Sequence, residues 1–281
     1  SVKLQMTRVY LRKRNPSFLF ILLLVTSFQI VAQTEKVFYD HFVFWNKNEF
    51  TQIFENSKFG TGIDLIHRRG SSVHSNSPFE VPLRSSIRPW IHYQFGPDAR
   101  LSVSPFSYHT TSPYRAIEED YLSPSNYEFR NTIQFFHHLK QLDGRVMHTW
   151  RYRLAFRYRK TDGIDDWSTT ARFRFRYRIR YMLNAPDFYT QRALYLAGSA
   201  EIGLNMGKSV VFNTFNQNRI YAGIGLRFLN AMRVELRYVD RVRARGSGFQ
   251  FDHARGIMIA LNIDQISYVG RRYTQPIKYA D

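Results

Sequence analysis

The sequence predicts an all-β fold, an antiparallel transmembrane β-barrel of about twelve strands (ten is the alternative) around an arginine-rich lumen. Three observations predict it. Apolar and polar residues alternate with a period of two in run after run between residues 37 and 264, and successive side chains of a strand point to opposite faces. The run 171–182 reads A-R-F-R-F-R-Y-R-I-R-Y-M, so one face is cationic and the other apolar or aromatic. The connections between runs alternate between short and long, as do the turns and loops of outer-membrane barrels.

The first 32 residues stand apart. Arg8, Arg12, Lys13 and Arg14 precede an apolar run from Phe18 to Phe28, and Ala32 precedes a fitting cleavage point. A basic head, a short apolar stretch and a small residue describe a secretory signal peptide. The run is too short for a membrane helix, which needs about 20 apolar residues. Residues 1–5, ahead of Met6, fit translation from upstream. The chain has no cysteine, which excludes a lipid anchor after the cut, a disulfide framework and a thiolate site. The formal charge of the 281 residues is +18. Residues 1–32 hold five basic and no acidic residues, so 35 basic against 22 acidic residues remain, a formal +13. The expected product is a single barrel domain, 33–281, with a short periplasmic C-terminal tail, in the outer membrane of a Gram-negative bacterium.

The strands follow in order. The stretch 37–54, with Phe38, Phe42, Phe44 and Trp45, is apolar enough for one or two strands. Next come 58–69 and 84–95, a tight turn at Gly96-Pro97-Asp98, and 99–110. A long polar segment, 111–126, holds Glu118, Glu119 and Asp120. The run 127–140 then turns through Asp143-Gly144 into 146–160, where Arg151, Arg153, Arg157 and Arg159 alternate with apolar residues. A polar Asp-Gly-containing loop, 161–167, suits a hairpin and leads to the 171–182 strand. A loop with Pro186, 184–191, precedes 192–206. The runs 218–229, 232–243 and 255–264 close the series. Short turns fall near 97, 143, 187 and 230, and longer loops near 75, 118, 164, 212 and 249. An even strand number is expected of a bacterial single-chain barrel. The prolines Pro89 and Pro105 interrupt the regularity of the early strands.

Magnitude decides which face meets water. An arginine at the bilayer midplane on the lipid side costs about 2 to 4 kcal/mol, against a total stability of about 5 to 15 kcal/mol. The arginines therefore face inward. The predicted lumen lining is Arg151, Arg153, Arg157, Arg159, Arg172, Arg174, Arg176, Arg178, Arg180, Glu201, Arg219, Arg227, Arg233, Glu235 and Arg237. Leu194, Leu196, Ile202, Leu204, Ile220, Ile224, Leu226, Val234, Leu236, Ile257 and Ile259 face outward by the same parity. A secreted soluble barrel is the competing reading, with the alternation turned inside out.

The residues also resemble a known family, the outer-membrane β-barrel-like proteins grouped as domain of unknown function 2490. The resemblance rests on the Arg-x-Arg strands at 151–159 and 172–180 and on Glu201 followed by Phe212-Asn213. Gln217-Asn218-Arg219 leading into Gly223-x-Gly225, with Tyr238 in the next strand, completes it. It implies location and fold, because the family has no assigned activity.

Function is narrowed by class. Rings of arginine lining a pore select anions, so a narrow anion-biased pore for small solutes is one expectation. A barrel of this size can instead be filled by its own side chains and serve as an envelope anchor or complex subunit. The small inward residues Ala197, Ser199, Gly203, Gly223, Gly225, Gly256 and Ala260 allow either outcome. A barrel-embedded lipid-modifying enzyme is a third reading, but the chain carries no Gly-x-Ser-x-Gly elbow, His-Glu-x-x-His or phosphate-binding glycine loop. His137 and His138 are adjacent and would point to opposite faces of a strand. No catalytic residue, metal or cofactor is expected. The expected partners are the lipid bilayer and small anions, and export argues against nucleic acid.

Overall fold

The computed structural model describes residues 35–269 except 189, 208–209, 211–213 and 230; the expected signal peptide lies outside the described residues. The strands are β1 (Val37–Ile53), β2 (Phe59–Gly70), β3 (Val81–Gly96), β4 (Ala99–Ser104), β5 (Tyr108–Thr111), β6 (Asn126–Gln141), β7 (Val146–Thr161), β8 (Trp167–Met182), β9 (Leu194–Met206), β10 (Phe215–Leu229), β11 (Met232–Ala244) and β12 (Gln250–Ile263). No described helix is long and apolar enough to cross a membrane.

Eleven of these strands close into a barrel, and consecutive strands are neighbours throughout. The closing pair is β1 on β12, and it is parallel, with Val37 opposite Gln250 and Phe50 opposite Ile263. The barrel is therefore mixed, where an antiparallel barrel with an even number of strands was expected. The reason is arithmetic. The stretch 37–53 has no turn and forms one long strand, so the ring holds an odd number of alternating strands and its first and last run the same way. The seam is tight. A Cβ on Gly256 would overlap the carbonyl oxygen of Val43 and lie 2.8 Å from that residue's N and C, so the strands meet there because position 256 has no side chain.

The twelfth strand, β5, lies outside this count because it continues the line of β4. Both pair with β3 on one side and β6 on the other. The break between them, residues 105–107, contains Pro105. On β3 the ladder to β4 ends at Ile91 and the ladder to β5 begins at Ile87. Pro89 sits between, opposite the gap. A proline has no N–H to offer a ladder, so the two prolines that disturb the early pattern fall at one shared interruption. The strand itself passes through it.

Burial is inverted relative to an ordinary β-barrel. Glu235 is 1% exposed, whereas its neighbour Leu236 is 51% exposed. The outward face carries half-exposed Phe42, Ile87, Ile91, Ile133, Leu196, Ile220, Ile224, Leu226, Ile257 and Ile259, and the inward face carries most of the arginines. Aromatic pairs on the outward face, such as Tyr152 with Phe175 (5.2 Å) and Phe59 with Tyr93 (5.0 Å), link neighbouring strands.

Candidate functional site

The inside of the barrel is built in two halves. At the rim of the short turns it is filled. The connection 183–193, expected as a short turn, is eleven residues long and folds inward rather than across the rim. Asn184 brings its ends together, donating to the Arg192 carbonyl (3.0 Å) and accepting from the Leu194 N–H (2.7 Å). Asp187 accepts from the Thr190 N–H at 2.9 Å. This shapes a loop that delivers Phe188 into the lumen. Phe188 packs with Met147, Met182, Ala185, Ala193 and Tyr195 in a buried apolar cluster. Arg180 lies 4.8 Å over its ring, and Arg227 donates to its carbonyl at 3.1 Å. Gly225 makes room for Tyr195, whose ring a Cβ there would overlap. Tyr195 thus covers the wall of small residues at Gly225, and Gln217 and Arg174 cover it at Gly203.

Three acids organise the arginines above this plug. The Glu235 carboxylate accepts from Arg178 (2.6 and 2.7 Å), Arg237 (2.5 Å) and the Tyr195 hydroxyl (2.6 Å). Glu201 accepts from Arg151 and from Arg219 (3.1 Å), with Arg174 at 3.9 Å. Glu128 accepts from Arg130 (2.7 and 2.8 Å) and Arg157. Each carboxylate is shared by at least two guanidiniums. Buried charges are stable only when paired and hydrogen-bonded, so these hubs brace the lumen at successive heights, with Glu235 nearest the plug and Glu128 nearest the long loops.

Toward the long-loop rim the lumen opens into a chamber of about 730 Å³. Its described wall holds sixteen arginines and Lys47 against four carboxylates, those of Asp120, Glu128, Glu201 and Asp252. Buried Trp45 stands in this wall with Arg68 stacked 4.0 Å over its ring and Arg219 and Arg241 at 5.8 and 5.9 Å. Such stacking stabilises a cation without neutralising it. The segment 112–125 folds over the mouth. It places Tyr114 against His41 (4.1 Å) and under the Arg241 guanidinium, which donates to its hydroxyl at 3.2 Å. Asp120 clamps this segment through two bonds from Arg245 (2.9 and 3.1 Å). Arg245 lies in the loop after β11. Burial lowers its pKa, but Asp252 and Asp120 outweigh that and raise it above the ordinary value.

All fifteen predicted lining residues point inward. Arg151, Arg153, Arg157, Arg159, Arg172, Arg174, Arg176, Glu201, Arg219 and Arg237 line the chamber. Arg178 and Glu235 form the hub below it. Arg180 and Arg227 hold the plug, and Arg233 pairs with Asp264 at 2.6 Å beside it. Sequence reasoning missed Lys47, Arg68, Arg84, Arg88 and Arg130 of the chamber wall, and the Asp64–Arg88 and Glu49–Lys47 pairs. The signal was present: Trp45-x-Lys47-x-Glu49 and Arg84-x-x-x-Arg88 share one parity. Among the described residues no group of three or more His, Asp or Glu side chains is placed to hold a metal ion.

A family model described as a protein of unknown function (DUF2490) matches residues 42–252. No curated protein and no solved structure matches the chain.

Proposed function

The chain belongs to the DUF2490 family, whose description carries no activity, and from that premise we propose that it is an outer-membrane barrel that passes small anions and is held shut here by the 183–193 plug. The observation that carries this reading is the inversion of the barrel, with apolar side chains outside and an excess of arginine inside. A band of half-exposed Ile, Leu and Phe around a closed ring suits lipid. A closed barrel also leaves no unpaired strand edge, the condition for a sheet to cross a bilayer. The signal-peptide pattern of the first 32 residues supports the same location. Seventeen cations against four acids in the chamber wall favour anions and repel cations. No catalytic step belongs to this reading.

The plug favours a second reading, a permanently closed structural barrel. Single-channel recording in planar bilayers separates the two. Wild-type protein is expected to be mostly silent. A variant with 184–192 replaced by a short glycine-containing turn is expected to give stepwise, anion-selective currents. A plug variant that folds and inserts but never conducts leaves the closed structural barrel, and a cation-selective current refutes both the anion path and its arginine basis.

A further inference from the structure

We propose that the chamber is a binding site for a small soluble polyanion carrying two or more phosphate groups, held between guanidiniums of β3, β6 and β8. The proposal deepens the anion reading of the same lumen and rests on it.

The first ground is charge that the protein leaves uncompensated. The four carboxylates of the wall are already shared: Glu128 by Arg130 and Arg157, Glu201 by Arg151 and Arg219, and Asp252 by Arg243 and Arg245. Asp120 is taken by Arg245. Among the described residues no carboxylate lies within ion-pair distance of Arg84, Arg172 or Arg176. A buried cation without a counter-charge is costly, so the wall is built for water and anions.

The second ground is donors in the chamber wall that the protein leaves unused. Arg174, 6% exposed, reaches Glu201 only at 3.9 Å and leaves Nε and Nη2 without a partner among the described residues. Arg84 leaves Nη2 likewise. Arg172, 8% exposed, donates to the side-chain oxygen of Asn205 at 3.0 Å and meets no acid.

The third ground is placement. Arg130 lies within electrostatic range of Arg84, Arg88, Arg172 and Arg174, so these side chains surround one region of the chamber from three strands. A single monoanion would offset one of them, whereas linked phosphates offset several at once. Guanidinium forks match phosphate oxygens two at a time. The volume, about 730 Å³, lies within the range of about 300 to 1,000 Å³ typical of small-ligand sites. Paired strands close the ring, with the ladder interrupted at 105–107, so acyl chains lack a wide lateral exit, which favours a soluble ligand over a lipid headgroup.

The test is calorimetric titration of the full chain, refolded in nonionic detergent at low salt, with tripolyphosphate, orthophosphate, citrate and a detergent-dispersed bis-phosphorylated glycolipid. One tripolyphosphate per barrel is expected, with orthophosphate and citrate at least about tenfold weaker and an affinity that falls as salt rises. The triple variant R84Q/R172Q/R174Q should bind at least about 30-fold more weakly, and the outside control K36Q/K58Q/R255Q within about threefold of wild type, since a charge-assisted hydrogen bond accounts for about tenfold or more. Should the triple variant fail to fold, R174K keeps the charge and removes the fork, and about threefold weaker binding is expected of it. Equal loss in the control, citrate binding as tight as tripolyphosphate, or binding of the glycolipid alone overturns the proposal. A barrel that conducts anions once its plug is cut but ignores tripolyphosphate loses this proposal only. One that binds tripolyphosphate but never conducts loses the channel reading only.

Discussion

Replacing Gly256 with alanine should break the barrel at its parallel seam. The added methyl would overlap the Val43 carbonyl oxygen and sit 2.8 Å from Val43 N and C, where ordinary contact begins at 3.4 Å. Relief requires β1 and β12 to separate locally by about an ångström, and a hydrogen bond stretched that far is lost. Two or three neighbouring ladder bonds at about 0.5 to 1.5 kcal/mol each give a loss of about 2 to 4 kcal/mol. That is a large share of a total near 5 to 15 kcal/mol. Gly198 on β9 is the matched control. A Cβ there meets only Ile179 Cγ2 at 3.8 Å, and relief of glycine's backbone entropy should leave Gly198→Ala neutral or stabilised by up to about 1 kcal/mol. Urea unfolding of the two refolded proteins, followed by tryptophan fluorescence, measures both. If Gly256→Ala is no less stable than Gly198→Ala, β1 does not sit in parallel on β12 and the eleven-strand closure is wrong.

Other outcomes follow from the same geometry. Ile224→Arg should block insertion, at about 2 to 4 kcal/mol for an outward arginine at mid-depth, while Arg176→Leu should be tolerated better; heat-modifiable gel mobility after refolding reads both, and equal tolerance would defeat the membrane assignment. Glu235→Gln strips the carboxylate from Arg178 and Arg237 and should cost about 3 to 5 kcal/mol, as breaking a buried ion pair does; a denaturation midpoint unchanged from wild type would show that this hub is wet. In the plug-deleted barrel, changing Arg174, Arg176 and Arg178 together to glutamine should move the zero-current potential toward the non-selective value. The effect should be large near 0.1 M salt, where fields reach about 10 Å, and small near 1 M, where they reach about 3 Å. Arg245→Ala should free the 112–125 segment from its Asp120 clamp, seen as faster proteolytic cleavage there; unchanged cleavage would mean that Tyr114 and the bridge from Arg115 to Ser72 hold it without Arg245.

Legibility followed the strength of the alternation. In β8 arginine alternates without a break with aromatic or apolar residues, β7 repeats the pattern with Ala155 in place of one arginine, and one energetic argument about Arg174 and Arg176 orients every strand that pairs with them. The same parity places Glu201, Arg219, Glu235 and Arg237 inside. The early strands were harder because their inward positions are chemically mixed: Asp64, Ser86, Trp90 and Gln94 share a face with Arg68 and Arg88. The meaning of Pro89 and Pro105 was hidden because it depends on register between strands, which neither proline reveals alone. The plug escaped for a similar reason. Asn184, Pro186 and Asp187 announce a turn, yet nothing local says that Phe188 points into a barrel rather than into lipid. The parallel seam rests on one count, whether 37–53 bends, and the residues of that stretch allow one strand or two.

The odd strand number also decides where the chain enters and leaves its own wall. Val37 stands level with Gln250 at the long-loop rim, and β12 runs from there to Ile263 at the rim of the short turns. An even barrel returns its polypeptide to the side it came from, whereas this ring delivers it to the opposite one. In a membrane, the residue that opens β1 and the residue that closes β12 then belong to different compartments, and one covalent chain connects them. Assembly inherits a constraint as well. Hairpins can join the sheet pairwise, but β1 has no hairpin partner across the seam, so the last ladder forms only when β1 and β12, far apart in sequence, meet side by side.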